Sequence, residues 1–131
     1  MKKACVIGWP IAHSRSPLIH GYWLKQFGID GEYSRVPVEP ANLSGFIASL
    51  RGNGYEGCNV TIPHKEAAFR LVNPADDMTT RLGVTNTIYF HDGQLFGTST
   101  DGEGFLASLR ASASYVPKIG PAMILGAGGA A

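Results

Sequence analysis

Ala4-Cys5-Val6-Ile7-Gly8-Trp9-Pro10-Ile11-Ala12-His13-Ser14-Arg15-Ser16-Pro17 is the stretch that decides the fold. It opens with a continuous apolar run closed by a glycine, which predicts a strand buried on both faces. Gly8-Trp9-Pro10 reads as a loop. Ser16-Pro17 predicts the N-cap and first position of a helix, where proline lacks only an N–H that would have no intrahelical partner anyway. Leu18, Ile19, Tyr22, Trp23, Leu24 and Phe27 then recur at helical spacing until Gly28 supplies a stop. A buried strand feeding a helix is the repeating unit of a parallel sheet with helices on its faces.

The same unit recurs outward from this stretch. Glu32–Val38 alternates, with Tyr33 and Arg35 on one side and Ser34 and Val36 on the other, as a second strand does. Asn42 is placed to cap a helix carrying Leu43, Phe46, Ile47 and Leu50, ended by Gly52-Asn53-Gly54. Gly57–Ile62 predicts a third strand, stopped by Pro63, and short helices follow over 64–71 and 76–82. Thr85–His91 and Gln94-Leu95-Phe96 flank Asp92-Gly93, the strongest short-range hairpin signal. Asp101–Leu109 reads as a helix with Phe105, Leu106 and Leu109 on one side. Residues 111–121 are small, polar and proline-containing, as in a linker. Ala122–Leu125 predicts a further buried strand running into Gly126-Ala127-Gly128-Gly129-Ala130-Ala131.

The expected fold is therefore α/β: a three-layer sandwich with a mostly parallel, mixed sheet carrying one antiparallel hairpin strand. The first strand of a truncated Rossmann domain would follow it. The expected organisation is a substrate-binding and catalytic domain over 1–101, a connecting helix and linker over 102–121, and the start of an incomplete dinucleotide-binding domain over 122–131.

Composition narrows the function. In 131 residues, 11 Lys+Arg face 10 Asp+Glu for a net charge of +1. No basic stripe marks a nucleic-acid binder, and no polybasic patch marks a membrane surface. With 44% hydrophobic residues and mean hydropathy +0.01, the chain reads as a globular protein. The apolar stretch after Met1-Lys2-Lys3 is too short for a secretory signal. Cys5 and Cys58 lie in apolar runs, as buried thiols of a reducing compartment do, and point to a cytoplasmic protein. Two cysteines with scattered histidines give no zinc spacing. The 17 glycines are roughly twice the usual ~7% and suit many tight strand-to-helix turns.

Ligands of open parallel sheets bind beyond the strand C-termini, and the polar residues of this chain gather there. His13, Ser14, Arg15 and Ser16 follow the first strand. Asn59, Thr61, His64 and Lys65 lie on and after the third. Asn86 and Thr87 open the hairpin, and Ser99, Thr100 and Asp101 follow it. Hydroxyls, amides, one ammonium and one carboxylate suit a small polyhydroxylated, anionic ligand rather than a metal. Gly126-x-Gly128-x-x-Ala131 after a predicted strand is the dinucleotide fingerprint with alanine in its third position: one glycine for the turn, the next for backbone approach to pyrophosphate, a small residue for helix packing.

Five segments in order carry a resemblance: Gly8–Pro17 with His20; Gly57–Lys65; Asn86-Thr87; Gly97 with Thr100–Phe105; and Gly126–Ala131. Together they resemble the N-terminal, substrate-binding part of the shikimate dehydrogenase family. The resemblance implies reduction of 3-dehydroshikimate to shikimate, in aromatic amino-acid biosynthesis, with NADP in preference to NAD and without metal. It implies Lys65 and Asp101 as the catalytic pair at the reacting oxygen. Ser14 and Ser16 would hold the substrate carboxylate, and Asn59, Thr61 and Asn86 would read ring hydroxyls. Gly126, Ala127, Gly128, Gly129, Ala130 and Ala131 would bind the cofactor. A quinate/shikimate dehydrogenase using NAD and a non-catalytic substrate-binding fragment are the alternative readings. The chain taken alone is expected to be inactive and, through an unpaired strand at 122–125, could dimerise.

The chemistry of the residues agrees. Hydride reduction of a carbonyl builds negative charge on oxygen, so a cation and a proton donor lower the barrier, and Lys65 can be both. Pairing with a carboxylate favours a charged lysine and burial a neutral one, a balance the sequence leaves open. His13, His20 and His64 read as structural, and His91, beside the hairpin turn, as exposed. Gly21, Val84-Thr85 and Ser99 depart from the family's usual residues. They leave the catalytic pair untouched and bear on local packing and substrate preference.

Overall fold

The computed structural model describes residues 1–113 and 120–129. Its elements run β1 (Lys2–Gly8), α1 (Ser16–Gln26), β2 (Gly31–Pro37), a 3-10 turn at Pro40–Asn42, α2 (Leu43–Ser49), β3 (Tyr55–Val60), α3 (Lys65–Phe69), β4 (Asn73–Pro74), α4 (Asp77–Leu82), β5 (Thr87–His91), β6 (Gln94–Thr98) and α5 (Asp101–Ser112). They build a six-stranded sheet in the order β2-β1-β3-β5-β6-β4. β5 pairs antiparallel with both β3 and β6, and every other pairing is parallel, so β5 alone runs against the rest. This is the mixed sheet with one reversed strand that the alternation predicts. The hairpin closes at Asp92 (φ 48°) and Gly93 (φ 79°), both left-handed as a two-residue turn of this hand requires.

Register assigns the two faces, because paired residues point the same way. Cys5 lies opposite Cys58, which lies opposite Ile88, and Ile7 lies opposite Val60. These side chains form the core with Leu43, Ile47, Leu50 and Ala68 from α2, its C-terminal end and α3. Burying each large aliphatic side chain is worth about 1.5–3 kcal/mol. Ala4, Tyr33 and Gly57 share the opposite face with Val6, Arg35, Asn59 and Thr87. α1 lies on that face, with His20 stacked on Tyr33 and Leu24 against Gly31. Helices thus cover both faces. Where β3 meets β5 the backbones come so close that a Cβ on Gly57 would lie 2.3 Å from the Ile88 carbonyl oxygen.

Several expectations change. The strand predicted at Ala122–Leu125 is not formed: residues 121–127 have no regular structure, and Met123, Ile124 and Leu125 are 86%, 72% and 91% exposed. An apolar run becomes a strand only beside a neighbour that pairs its N–H and C=O groups, and the sheet ends at β2 and β4 without it. α1 forms over its predicted span, but none of its residues is fully buried. Its helix begins one residue early: Arg15 holds the N-cap position, and the Ser14 hydroxyl accepts the Ser16 N–H at 3.3 Å. Asn42 precedes α2 without a side-chain cap, whereas Asp76 caps α4 by accepting the Thr79 N–H at 2.6 Å. Residues 114–119 of the expected linker, and Ala130 and Ala131, lie outside the described residues. Among the described residues, no helix is long and apolar enough to cross a membrane.

Candidate active site

The C-terminal ends of β1, β3 and β6 and the start of β5 converge at one end of the sheet. Two loops are hooked together there. The Trp9 N–H donates to the Ile62 carbonyl at 3.1 Å, and the Thr61 N–H to the Ile7 carbonyl at 3.0 Å. The peptide bonds Trp9–Pro10 and Ile62–Pro63 are both cis. A Cβ on Gly8 would lie 2.7 Å from the Thr61 side chain, so glycine is what lets the first loop close over the second.

Lys65 opens α3 directly after this crossing, and its carbonyl accepts the Thr85 N–H at 3.1 Å. Its ammonium forms an ion pair with one oxygen of Asp101, the first residue of α5. The lysine side chain is 13% exposed and the aspartate 44%, so the pair sits in the wall of a cleft, open on the aspartate side. The other Asp101 oxygen accepts from Asn86 Nδ2 at 2.7 Å, while Asn86 Oδ1 accepts the Thr100 N–H at 3.1 Å. Asn86 therefore clamps the turn that presents the carboxylate.

Asn59 joins the same network. Its Nδ2 donates to Thr87 Oγ1 at 3.0 Å and to the Asn86 carbonyl at 3.3 Å, and the Thr87 hydroxyl donates to Asn86 Oδ1 at 3.0 Å. Asn59 Oδ1 accepts from the Tyr33 hydroxyl at 2.6 Å. Lys65, Asp101, Asn86 and Asn59 are thus one hydrogen-bonded group, whereas Thr61 stands outside it, its N–H on the Ile7 carbonyl and its own carbonyl accepting the His64 N–H at 2.9 Å. Ser14, on the loop after β1, and Ser16, the first residue of α1, form a separate pair, Oγ to Oγ 3.2 Å, and Arg35 Nε donates to the Ser14 carbonyl at 2.7 Å.

Thr87, which opens the hairpin beside Asn86, is joined to the site, while Tyr33 and Arg35 are partners that motif reading passes over. The signal for both was available, since alternation places Tyr33 and Arg35 on one side of β2. His64 is structural: it is 1% exposed, with a ring nitrogen 2.7 Å from the Val38 carbonyl. His20 packs flat on Tyr33, and burial lowers its pKa below the usual histidine value. His91 is exposed beside Asp92, and His13 is exposed on the first loop.

The glycine-rich segment approaches the lysine. Gly128 and Gly129 line a cavity of about 270 Å³ with Ile62, Pro63, Lys65 and Glu66. A Cβ on Gly129 would stand 3.3 Å from Val84 and 3.5 Å from the Lys65 stem, and Gly126 holds φ +119°, which side-chain-bearing residues rarely adopt. Bare glycine backbone against the lysine stem leaves room for the close approach a phosphate-bearing cofactor needs.

Known proteins share this sequence and fold. A family model described as the shikimate dehydrogenase substrate binding domain matches residues 6–88. The shikimate dehydrogenase (NADP(+)) of Mesorhizobium japonicum is 54% identical over 129 residues, covering 98% of this chain and 46% of that protein. The protein of the same name from Afipia carboxidovorans is 55% identical over 128 residues, again 98% of this chain and 46% of its own. The crystal structure of shikimate 5-dehydrogenase from Thermus thermophilus in complex with shikimate superposes with TM-score 0.90 at 38% identity, covering 99% of this chain and 49% of that one. The chain spans about half the length of these relatives. Since the family model takes in more than half of these residues, the chain belongs to the shikimate dehydrogenase family, matching its substrate-binding domain.

Proposed function

We propose that this chain binds shikimate and 3-dehydroshikimate and that the full gene product interconverts them with NADP(H), in aromatic amino-acid biosynthesis. The observation that carries the reading is the Lys65–Asp101 ion pair held by Asn86 beside a glycine-rich backbone. Bound along Gly126–Ala131, NADPH would supply the hydride to the carbonyl carbon. The residues of this chain do the rest. The Lys65 ammonium faces the carbonyl oxygen, stabilises the charge that develops there and delivers the proton that makes it a hydroxyl. Asp101 holds the ammonium in place and accepts a hydrogen bond from the substrate hydroxyl. Asn59, Asn86 and Thr61 read the ring hydroxyls, and the Ser14 and Ser16 hydroxyls donate to the carboxylate. Positioning of this kind supplies much of the barrier reduction.

Two measurements test it. Calorimetric titration should show shikimate binding to the 131-residue chain. The full gene product should reduce NADP⁺ with shikimate, while the 131 residues alone should not, since residues 121–127 form neither strand nor helix to hold a cofactor. A full gene product that binds no shikimate and turns none over would refute the proposal.

A further inference from the structure

We propose that Tyr33, braced by His20, is a positioning residue: it fixes the orientation of the Asn59 amide and, through Thr87 and Asn86, that of the Asp101 carboxylate. The inference rests on the shikimate reading above and deepens it. Tyr33 stands on β2, with β1 between it and β3. The residues in register with it on β1 and β3 are Ala4 and Gly57, so only a methyl and a hydrogen lie in the path of the phenol. The His20 ring covers Tyr33 at 4.0 Å between centroids and 3° between planes. The phenol hydroxyl then reaches Asn59 Oδ1 at 2.6 Å.

A carboxamide can be turned end for end with almost no change in shape, so its partners decide which end faces a ligand. Here the decision is forced from both ends of the chain of bonds. Asp101 can only accept, so Asn86 must offer it Nδ2 at 2.7 Å and turn Oδ1 toward the Thr87 hydroxyl at 3.0 Å. Thr87 has then committed its proton and accepts from Asn59 Nδ2 at 3.0 Å. That leaves Asn59 Oδ1 needing a donor, and Tyr33 is the donor. Burial first, then the neighbouring Cys5 and Cys58, push the Tyr33 pKa up, so the phenol keeps its proton across the working pH range. Every bond donates toward the carboxylate, an arrangement in which each polarises the next. Tyr33 need not touch substrate to govern which atoms of Asn59 and Asn86 meet it.

The test is Tyr33→Phe in the full gene product, which keeps the ring and its stacking and removes only the hydroxyl. Loss of one hydrogen bond predicts about 3–10-fold weaker shikimate binding and a matching rise in KM, with kcat falling less and the melting temperature held. In an Asn59→Ala background the same substitution should cost almost nothing further. His20→Ala should follow Tyr33→Phe, and His20→Phe, which can still stack, should restore binding. In ligand-free protein, the NMR signals of the Asn59 side-chain amide should shift and exchange faster in Tyr33→Phe. Native binding by Tyr33→Phe, an undiminished loss in the Asn59→Ala background, or an unmoved Asn59 amide would each overturn the inference. Wild-type protein that binds no shikimate would sink the functional reading instead, and the amide signals would still decide the positioning role.

Discussion

Replacing Lys65 and Asp101 singly and together tests the centre of the site. Lys65→Ala removes the group assigned as proton donor and local positive charge. Loss of general acid assistance is worth about 10²–10⁴-fold in kcat, and the larger end is expected here because the lysine side chain is only 13% exposed and water cannot easily replace it. Asp101→Asn keeps the shape but must present an NH₂ either to Asn86 Nδ2, now 2.7 Å away, or to the Lys65 ammonium, so one of two charge-assisted hydrogen bonds is lost. Such bonds contribute about 1.5–3 kcal/mol. Since the aspartate is 44% exposed, the lower figure applies, about tenfold in kcat. In the proposed mechanism both residues act on one proton, so the losses should not add, and the double variant should be barely slower than Lys65→Ala. The assay is steady-state turnover of shikimate with NADP⁺ by the full gene product, with calorimetric binding beside it. A Lys65→Ala enzyme with near-native kcat and only KM raised would make the lysine a binding residue and refute the mechanism. Fully additive losses would refute the shared proton.

Ser14→Ala should raise KM about 3–10-fold with kcat nearly held, because the carboxylate anchor proposed for it, remote from the reacting carbon, would act through binding; losing the partner of the Ser16 N–H adds to the cost. Gly57→Ala should destabilise by about 3 kcal/mol or more, read in a urea melt, since its methyl meets the Ile88 backbone at 2.3 Å and backbone cannot rotate away. The two thiols should resist a thiol reagent until the protein unfolds. A hydrogen bond with Cys5, and then burial, push the Cys58 pKa up. A folded-state pKa raised above the unfolded one gives stability that is complete below the unfolded thiol pKa and lost above it. The melting temperature should therefore begin to fall above about pH 8.5, and a flat profile into strong alkali would contradict the assignment.

Local signals carried much of the fold. The run Ala4–Ile7 forms β1, Asp92-Gly93 forms the hairpin turn, and both cysteines are buried, because each depends on neighbours close in sequence or on simple apolarity. What failed depended on the rest of the molecule. Periodicity shows that α1 has an apolar stripe, but not what covers it, and Leu18, Tyr22 and Phe27 remain exposed. The run Ala122–Leu125 has strand composition without a strand beside it. β4 is only two residues long and exists through its pairing with Phe96 and Gly97. Motif spacing pointed to Lys65, Asn86 and Asp101, which the fold brings into contact. Tyr33 stayed hidden because its reach depends on Ala4 and Gly57, residues distant in sequence whose smallness means nothing until the strands are aligned.

The reversed strand also separates two ends of the molecule in a way an experimenter can use. β5 and β6 hold Asn86 and Asp101 at one end and the Asp92-Gly93 turn at the other, five residues along each strand, or roughly 17 Å at the usual rise. Asp92 is 91% exposed. A short reporter peptide or fluorophore attachment site spliced between Asp92 and Gly93 would ride on the same hairpin that sets Asn86 against Asp101, yet stand clear of the cleft. It would let tethering, surface immobilisation or single-molecule observation proceed without an appendage near the chemistry.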